Sequence, residues 1–314
     1  MKCCRFVSKT AHAIRYILGN MRIALASCSN LPGWEVDDAP LHRSLSSRGV
    51  EISHPVWDDP AVDWRSFDAC LIRTTWDYME KQEAYVRWAE EVSSQIPFFN
   101  PPEIIRWNTE KTYLRDLAAQ GVRIAPTVFL EKGSEVDVAH LMASKGWKQG
   151  FIKPVVGATA RETLRFSADG LGLEKAQAHL QRLLESEAMM LQPYLKAVEK
   201  VGELSALFLG GRFSHAVRKV PQPGDYRVQD DFGAKDFPVE LTSEQMKRAH
   251  SIMTLASERS PTGELLYARV DWLTDDEGEL VLTELELVEP SLFFRHGPKA
   301  GDQLADALIS AVRG

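Results

Sequence analysis

Cysteine is scarce in this chain, at four of 314 residues (Cys3, Cys4, Cys28 and Cys70), and none stands at CxxC spacing. That argues against a Cys-based metal module and leaves reduced thiols in a cytoplasmic protein as the expectation. Long apolar runs are also missing: none approaches the roughly 18 residues that cross a bilayer, so no membrane partner is expected. Positive charge is in deficit, with 37 Lys and Arg against 44 Asp and Glu and a formal net charge of −7. A nucleic-acid binder needs the opposite, a clustered basic surface. Internal repeats and low-complexity tracts are absent. What remains is ordinary: 44% hydrophobic and 26% charged residues, in a chain long enough for two or three packed subdomains.

Residues 1–20 are basic (Lys2, Arg5, Lys9, Arg15) without the continuous apolar core of a secretory signal. They read as a dispensable extension ahead of Met21, with an amphipathic partner-binding helix as the alternative. From Met21 to residue 107, strand signals (Arg22–Ser27, Val50–Pro55, Ala69–Arg73) alternate with helical ones (Ala39–Arg48, Lys81–Ser94). This βαβ rhythm predicts a mostly parallel sheet, whose ligands gather at the carboxyl ends of its strands. Residues 108–194 open on a predicted helix over Thr109–Gln120, then three strands, a helix at Leu173–Ser186 and a strand at Ala188–Gln192. Residues 195–314 carry strands at Glu203–Leu209 and Arg212–Val220, a polar loop, a helix at Ser243–Ser257, a hairpin around DDEG and a terminal helix. The fold class expected is α/β in the first part and α+β in the other two.

The hairpin holds the first chemical clue. In ELVLTELELVEPSLFF, a period of two puts Leu280, Leu282, Glu284 and Glu286 on one face, with Glu289 following. The preceding strand, LYARVDWL, pairs with it through the turn. A four-residue loop sets Asp271 opposite Leu282 and Arg269 opposite Glu284, gathering Arg269, Asp271, Glu284 and Glu286 on one face. A loop of three or five residues breaks this. Clustered carboxylates without Cys or His suit a hard cation such as Mg²⁺. Acidic decoration of a solvated face, with Arg269 pairing Glu284, is the competing reading. Lys111 at the head of a helix, and Lys153 in GFIKP before the small-residue loop GATARET, are residues of the kind that hold phosphate oxygens.

A strand ending in Gln192, Pro193, Tyr194 and Leu195, with Glu203 eight residues on, resembles the adenine hinge and ribose acid of ATP-grasp enzymes. The ordered set Lys111, Lys153, QPYL, Glu203, ARVD and ELE is similar to that superfamily over roughly residues 108–295. Finer resemblance, through RTTWDY, NTEKTYL, SHAVRKVPQPGDYRVQ and ELELVEPSLFF, is to the subgroup containing D-cycloserine synthetase, with a loop like that of glutathione-synthetase-like ligases.

The resemblance implies an ATP-grasp fold with a parallel-sheet domain ahead of two α+β subdomains clasping ATP. It implies ATP and Mg²⁺ as cofactors and an ATP-dependent carboxylate–amine ligase acting through an acyl phosphate on a small amino-acid-like substrate. Arg269, Lys153 and Arg227 become the catalytic residues. Lys111, Lys153, Gln192, Pro193, Tyr194, Leu195, Glu203 and Lys219 become the nucleotide site, and Asp271, Glu284 and Glu286 the metal ligands. Arg73, Thr74, Trp76, Asp77, Tyr78, Arg227 and Ser291 become substrate contacts, with Trp34, Asp37 and Asp38 as further candidates. The chain departs from the family where Glu286 stands in place of the usual Asn of Glu-x-Asn, and where Ala234 replaces the second of two expected glycines. Intramolecular ring closure competes with intermolecular ligation. A nucleotide binder without ligase chemistry and a phosphotransferase are the rival classes, and a homodimer stays open.

Overall fold

The computed structural model describes residues 21–31 and 36–314; the basic segment 1–20 and Trp34 lie outside them. The first sheet is wholly parallel, in the order β2 (Glu51–Ser53), β1 (Arg22–Ser27), β3 (Ala69–Thr74), β4 (Phe98–Phe99). Every residue of β3 is buried, as expected of a parallel strand covered on both faces. Ile23, Leu25 and Leu71 face helix α1 (Ala39–Ser47) and the C-terminal helix. Ala26, Cys70 and Ile72 face an aromatic layer of Trp57, Trp64, Tyr85 and Trp88, the last two from α2 (Gln82–Ser93).

A helix α3 (Pro102–Asn108) precedes the expected Thr109–Gln120 span, of which only α4 (Tyr113–Ala119) is α-helical, with a break between the two. The break has a cause: the Lys111 N–H donates to the Val155 carbonyl, 2.9 Å away, and not back along a helix. Lys111 is thereby moored beside the second sheet. That sheet is antiparallel, in the order β5 (Val128–Leu130), β8 (Met189–Pro193), β6 (Gln149–Pro154), β7 (Leu164–Ser167). Helices α5 (Val138–Lys145) and α6 (Gly170–Leu184) cover it through Met142, Leu180 and Leu183.

A one-turn helix α7 (Val198–Val201) leads into the third sheet, antiparallel, in the order β11 (Lys235–Val239), β10 (Arg212–Val220), β9 (Glu203–Leu209), β12 (Tyr267–Thr274), β13 (Leu280–Glu286). Strand β11, KDFPV, falls where a polar loop was expected; its charges and proline suit an edge strand. Leu204, Ala206, Val270, Trp272 and Leu282 pack under α8 (Ser243–Ser257), which opens on a Thr242–Gln245 capping box. The opposite face is divided. Leu207, Leu209 and Tyr267 pack against the first sheet and α9 (Ala300–Arg313), while the other end of that face is charged.

The hairpin corrects the expected register. Thr274 pairs with Leu280 across a five-residue loop, which by simple alternation turns Glu284 toward the core. A bulge then absorbs Thr283: Trp272 pairs with Leu282, but Asp271 pairs with Glu284 and Arg269 with Glu286. Leu282 therefore faces the core while Glu284 faces the opposite side, and the leucines and glutamates do not share a face as expected. The Thr283 hydroxyl donates to the Asp271 carbonyl at 3.0 Å, holding the bulge in place. Asn100 and Asn108 fasten the layers together, each bonding two main-chain groups or more of the C-terminal sheet region, including the carbonyls of Tyr267, Leu285 and Leu287.

Candidate active site

Strand pairing alone assembles one wall of a cavity. Glu203 lies across from Lys219, Ser205 across from Asp271, Asp271 across from Glu284, and Arg269 across from Glu286. Alternation keeps all of these side chains on the charged end of one face. They are largely removed from solvent, and each charge is answered. Arg269 donates from Nε to both Asp271 oxygens (3.1 and 3.0 Å) and from its Nη atoms to Glu286 and the Ser291 carbonyl. Lys219 pairs with Glu203 and stands 3.7 Å from Asp271. Gly202, at φ +76°, lets the chain pass this closely: an added Cβ would sit 2.3 Å from the Lys219 carbonyl oxygen.

The second sheet supplies the facing wall. Lys153, at the end of β6, reaches Glu284 at 2.8 Å, and Lys111 donates to the Gly157 carbonyl at 2.5 Å. Burial alone raises the Glu284 carboxyl, but Lys153 and Lys111 outweigh it and hold the group well below the carboxylate range. Glu286 goes the other way. Burial pushes it up, and Asp271 and Glu284 keep it raised against the pull of Arg269. Gln192 donates to the Thr127 hydroxyl at 2.8 Å, and Pro193, Tyr194 and Leu195 continue the same wall.

Two loops roof the cavity. In residues 157–163, Thr159, Ala160 and Glu162 adopt left-handed backbone angles (φ 50°, 54° and 51°), and Arg161 is fixed to Glu187 and the Val156 carbonyl. In residues 221–235, Arg227 is held by Asp225 at 2.7 Å and stacks 3.8 Å over Phe232. The Tyr226 and Thr163 hydroxyls, 3.1 Å apart, join the two loops.

The expected substrate contacts divide. Trp76, Tyr78, Arg227, Ser291 and Asp37 line the cavity. Arg73, Thr74 and Asp77 do not: they lie behind its wall. Arg73 is buried in a two-pronged bond to Asp38 (2.9 and 2.9 Å) and donates to the Pro290 carbonyl. Thr74 bonds Ser27, and Asp77 accepts from the Trp57 indole. His215 bonds Ser214 and the Phe293 carbonyl, as a packing residue would. The wall also holds Asn108, Phe293 and Glu289, to which the sequence pattern gave no role. Burial, with Glu286 adding, pushes the Glu289 carboxyl up to about 8.

The cation-laced arrangement has a consequence for metals. Among the described residues no three His, Cys, Asp or Glu side chains are gathered closely enough to form a metal centre as they stand. Arg269 and Lys153 are instead bonded to the carboxylates of that wall. Among the described residues no helix is long and apolar enough to cross a membrane.

Comparison with known proteins bears on the same geometry. Residues 23–100 match the family model described as D-cycloserine synthetase DcsG, N-terminal domain. The chain is 29% identical to the cycloserine biosynthesis protein DcsG of Streptomyces lavendulae over 289 residues, 89% of this chain and 95% of that one. Against the crystal structure of D-cycloserine synthetase DcsG, the TM-score is 0.82 at 26% identity, covering 93% and 99% of the two chains. Two more distant structures share the fold. They are D-alanine–D-alanine ligase from Bacillus anthracis complexed with ATP (TM-score 0.66, 16% identity, 93% and 97% covered) and the ATP-grasp ligase PsnB with minimal precursor, Mg and ADP (TM-score 0.60, 14%, 93% and 98%). The chain has the ATP-grasp fold and resembles the D-cycloserine synthetase group in both sequence and structure.

Proposed function

We propose that this chain is an ATP-dependent ligase that joins a carboxylate to a nitrogen, closing a ring within one small amino-acid-derived substrate. The observation that carries the reading is the charged end of the third sheet. It sets Arg269, Asp271, Glu284, Glu286, Glu203 and Lys219 against Lys111 and Lys153 in a single cavity. In this reading residues 108–194 and 195–314 clasp the nucleotide, and residues 21–107 help enclose the substrate.

A carboxylate is a poor electrophile with oxide as its leaving group, so the reaction needs activation as an acyl phosphate, and catalysis is then positioning and charge neutralisation. Gln192, Pro193, Tyr194 and Leu195 border the base, and Glu203 the ribose. Lys111, Lys153 and Lys219 neutralise phosphate oxygens. The donor set of Asp271, Glu284 and Glu286 is all carboxylate oxygen, the chemistry Mg²⁺ takes, and burial with the neighbouring carboxylates raises Glu286. Magnesium, when bound, supplies charge neutralisation between the carboxylates and the phosphates. Lys153, bonded to Glu284, and Arg269, bonded to Glu286, would present their charges to the transferred group once those carboxylates were otherwise engaged. Arg269 stabilises the negative charge that develops at the reacting carbonyl, and Arg227 leaves Asp225 to meet the acyl phosphate. Trp76, Tyr78 and Ser291 border the substrate, and the two loops exclude water that would hydrolyse the intermediate.

The test is ADP release from Mg·ATP against a panel of D- and L-amino acids and dipeptides, with mass analysis of the product. A product one water lighter than a single substrate establishes ring closure. Two substrates less one water means intermolecular ligation, and no acid-dependent ADP release refutes the ligase reading.

A further inference from the structure

We propose that Glu289 is the group that accepts the proton of the attacking nitrogen, its carboxylate seated against that nitrogen at the substrate end of the cavity. The inference rests on the ligase reading and assigns a residue to its second half, bond formation. Three observations carry it.

Glu289 lines the cavity, and no other side chain among the described residues holds its carboxylate, which meets only its own main-chain N–H. The carboxylates of the sheet wall all have partners: Glu203 with Lys219, Asp271 and Glu286 with Arg269, Glu284 with Lys153. A half-buried carboxylate without a side-chain partner, beside neighbours that all have one, is available to something that arrives later. Second, the backbone beneath it is fixed. Three consecutive carbonyls are each bonded by a different side chain: Glu289 by the Trp76 indole at 3.0 Å, Pro290 by Arg73 at 3.2 Å, and Ser291 by Arg269 at 3.1 Å. The segment is anchored from both the first and third sheets, so the Glu289 carboxylate is aimed, not loose. Third, its surroundings suit a base for an amine. The charges that act on it are Glu286 of its own segment, Lys111 ahead of α4 and Arg269 of β12, and its own charge pushes the Tyr78, Tyr85 and Tyr267 hydroxyls further up. Burial lifts the carboxyl toward the range of an amine, where proton transfer is close to balanced.

The step balances. The nitrogen lone pair forms the C–N bond at the acyl carbon. The C–O bond to phosphate breaks with its electron pair on the departing phosphate, and the nitrogen's proton passes to Glu289. Because only the ionised carboxylate accepts it, bond formation rises with pH through the Glu289 range.

Hydroxylamine separates this role from any other, since in excess it captures an acyl phosphate without a protein base. Wild type and Glu289→Gln are compared with Mg·ATP and the panel acid that releases most ADP, measuring hydroxamate with hydroxylamine present and cyclised or ligated product without it. Expected is hydroxamate within about threefold of wild type but product at least about 100-fold lower, with loss of the alkaline rise in product formation. An unchanged stabilisation by Mg·ATP in a thermal melt checks the fold. Product within threefold of wild type overturns the assignment, and so does equal loss of hydroxamate and product, which marks a substrate anchor. If wild type itself makes neither ADP nor hydroxamate, the ligase reading fails and takes the assignment with it.

Discussion

Arg73 stands on a strand end, the place where a parallel sheet presents ligand-binding groups, yet it faces inward to Asp38 and the Pro290 carbonyl. Both partners of the ion pair are almost fully buried, so removing one leaves an uncompensated charge. Arg73→Met is expected to lower unfolding stability by about 3–5 kcal/mol in a denaturant titration, and Arg73→Met with Asp38→Leu to recover most of that. A single-variant loss under about 1 kcal/mol contradicts the closed pair. Between α1 and the end of β2, the His42 and His54 rings meet at 3.2 Å between Nε2 atoms. Burial, with the charge of His54 adding, lowers His42 from 6.5 to about 4, against the pull of Asp38. The unfolded chain therefore binds the proton more readily than the folded one. Stability is full above pH 6.5, falls as pH drops from 6.5 to about 4, and levels off below, by at most roughly 3 kcal/mol. His42→Phe flattens that part of a stability-versus-pH curve. At this scale residue types were legible and directions only partly so. Asp271 follows from strand parity, Lys111 and Lys153 from their places at a helix head and a strand end, and Glu203 from the family resemblance alone. Whether Arg73 or Trp76 looks into the cavity depends on Pro290 and Glu289, more than 200 residues away.

Elements were legible where the pattern is strong and local. Strands β1, β9 and β10 and helix α8 fall within the spans their periodicity gives, because each carries one clean period between turn residues or a cap. The pattern failed at irregularities. Alternation cannot foresee a bulge, so the hairpin's five-residue loop and the skipped Thr283 each shift the register, and together they return Glu284 to the side of Asp271. Nor can composition alone pick out β11, whose proline and charges are tolerated only because it lies at an edge. The two roofing loops interact through the hydroxyls of Tyr226 and Thr163, with Arg165 lying 5.5 Å over the Tyr226 ring. Tyr226→Phe keeps the ring and removes the hydroxyl. A neutral hydrogen bond contributes about 1 kcal/mol, so the closed roof loses roughly fivefold in population. The expected outcome is more ADP released per product formed, by up to about that factor, as water reaches the acyl phosphate. Equal ADP and product in both proteins refutes a closing role for this contact.

At the scale of the molecule, three sheets converge on one cavity because their connections are specific: Asn100 and Asn108 bind the main chain around β12 and β13, and α9 lies against α1. The ordered series of motifs gave the architecture, but the docking did not follow from it, since each fastening joins residues 166–187 positions apart in the case of Asn100. The convergence leaves buried like charges, Asp271 and Glu284 against Glu286, balanced by lysine and arginine. Such a site is stabilised by anything that separates the carboxylates from one another and engages the freed cations. Mg·ATP at 100 times its dissociation constant is expected to add about 2.7 kcal/mol to the unfolding free energy, raising the melting temperature by several degrees. Asp271→Asn removes one carboxylate from the wall and leaves Lys111 and Lys153 untouched. It should therefore abolish the magnesium-dependent part of the shift and preserve a smaller one from ATP with EDTA. A shift that is the same with EDTA as with magnesium in the wild type means the carboxylates hold no ion, and that Lys153 and Arg269 never let go of them.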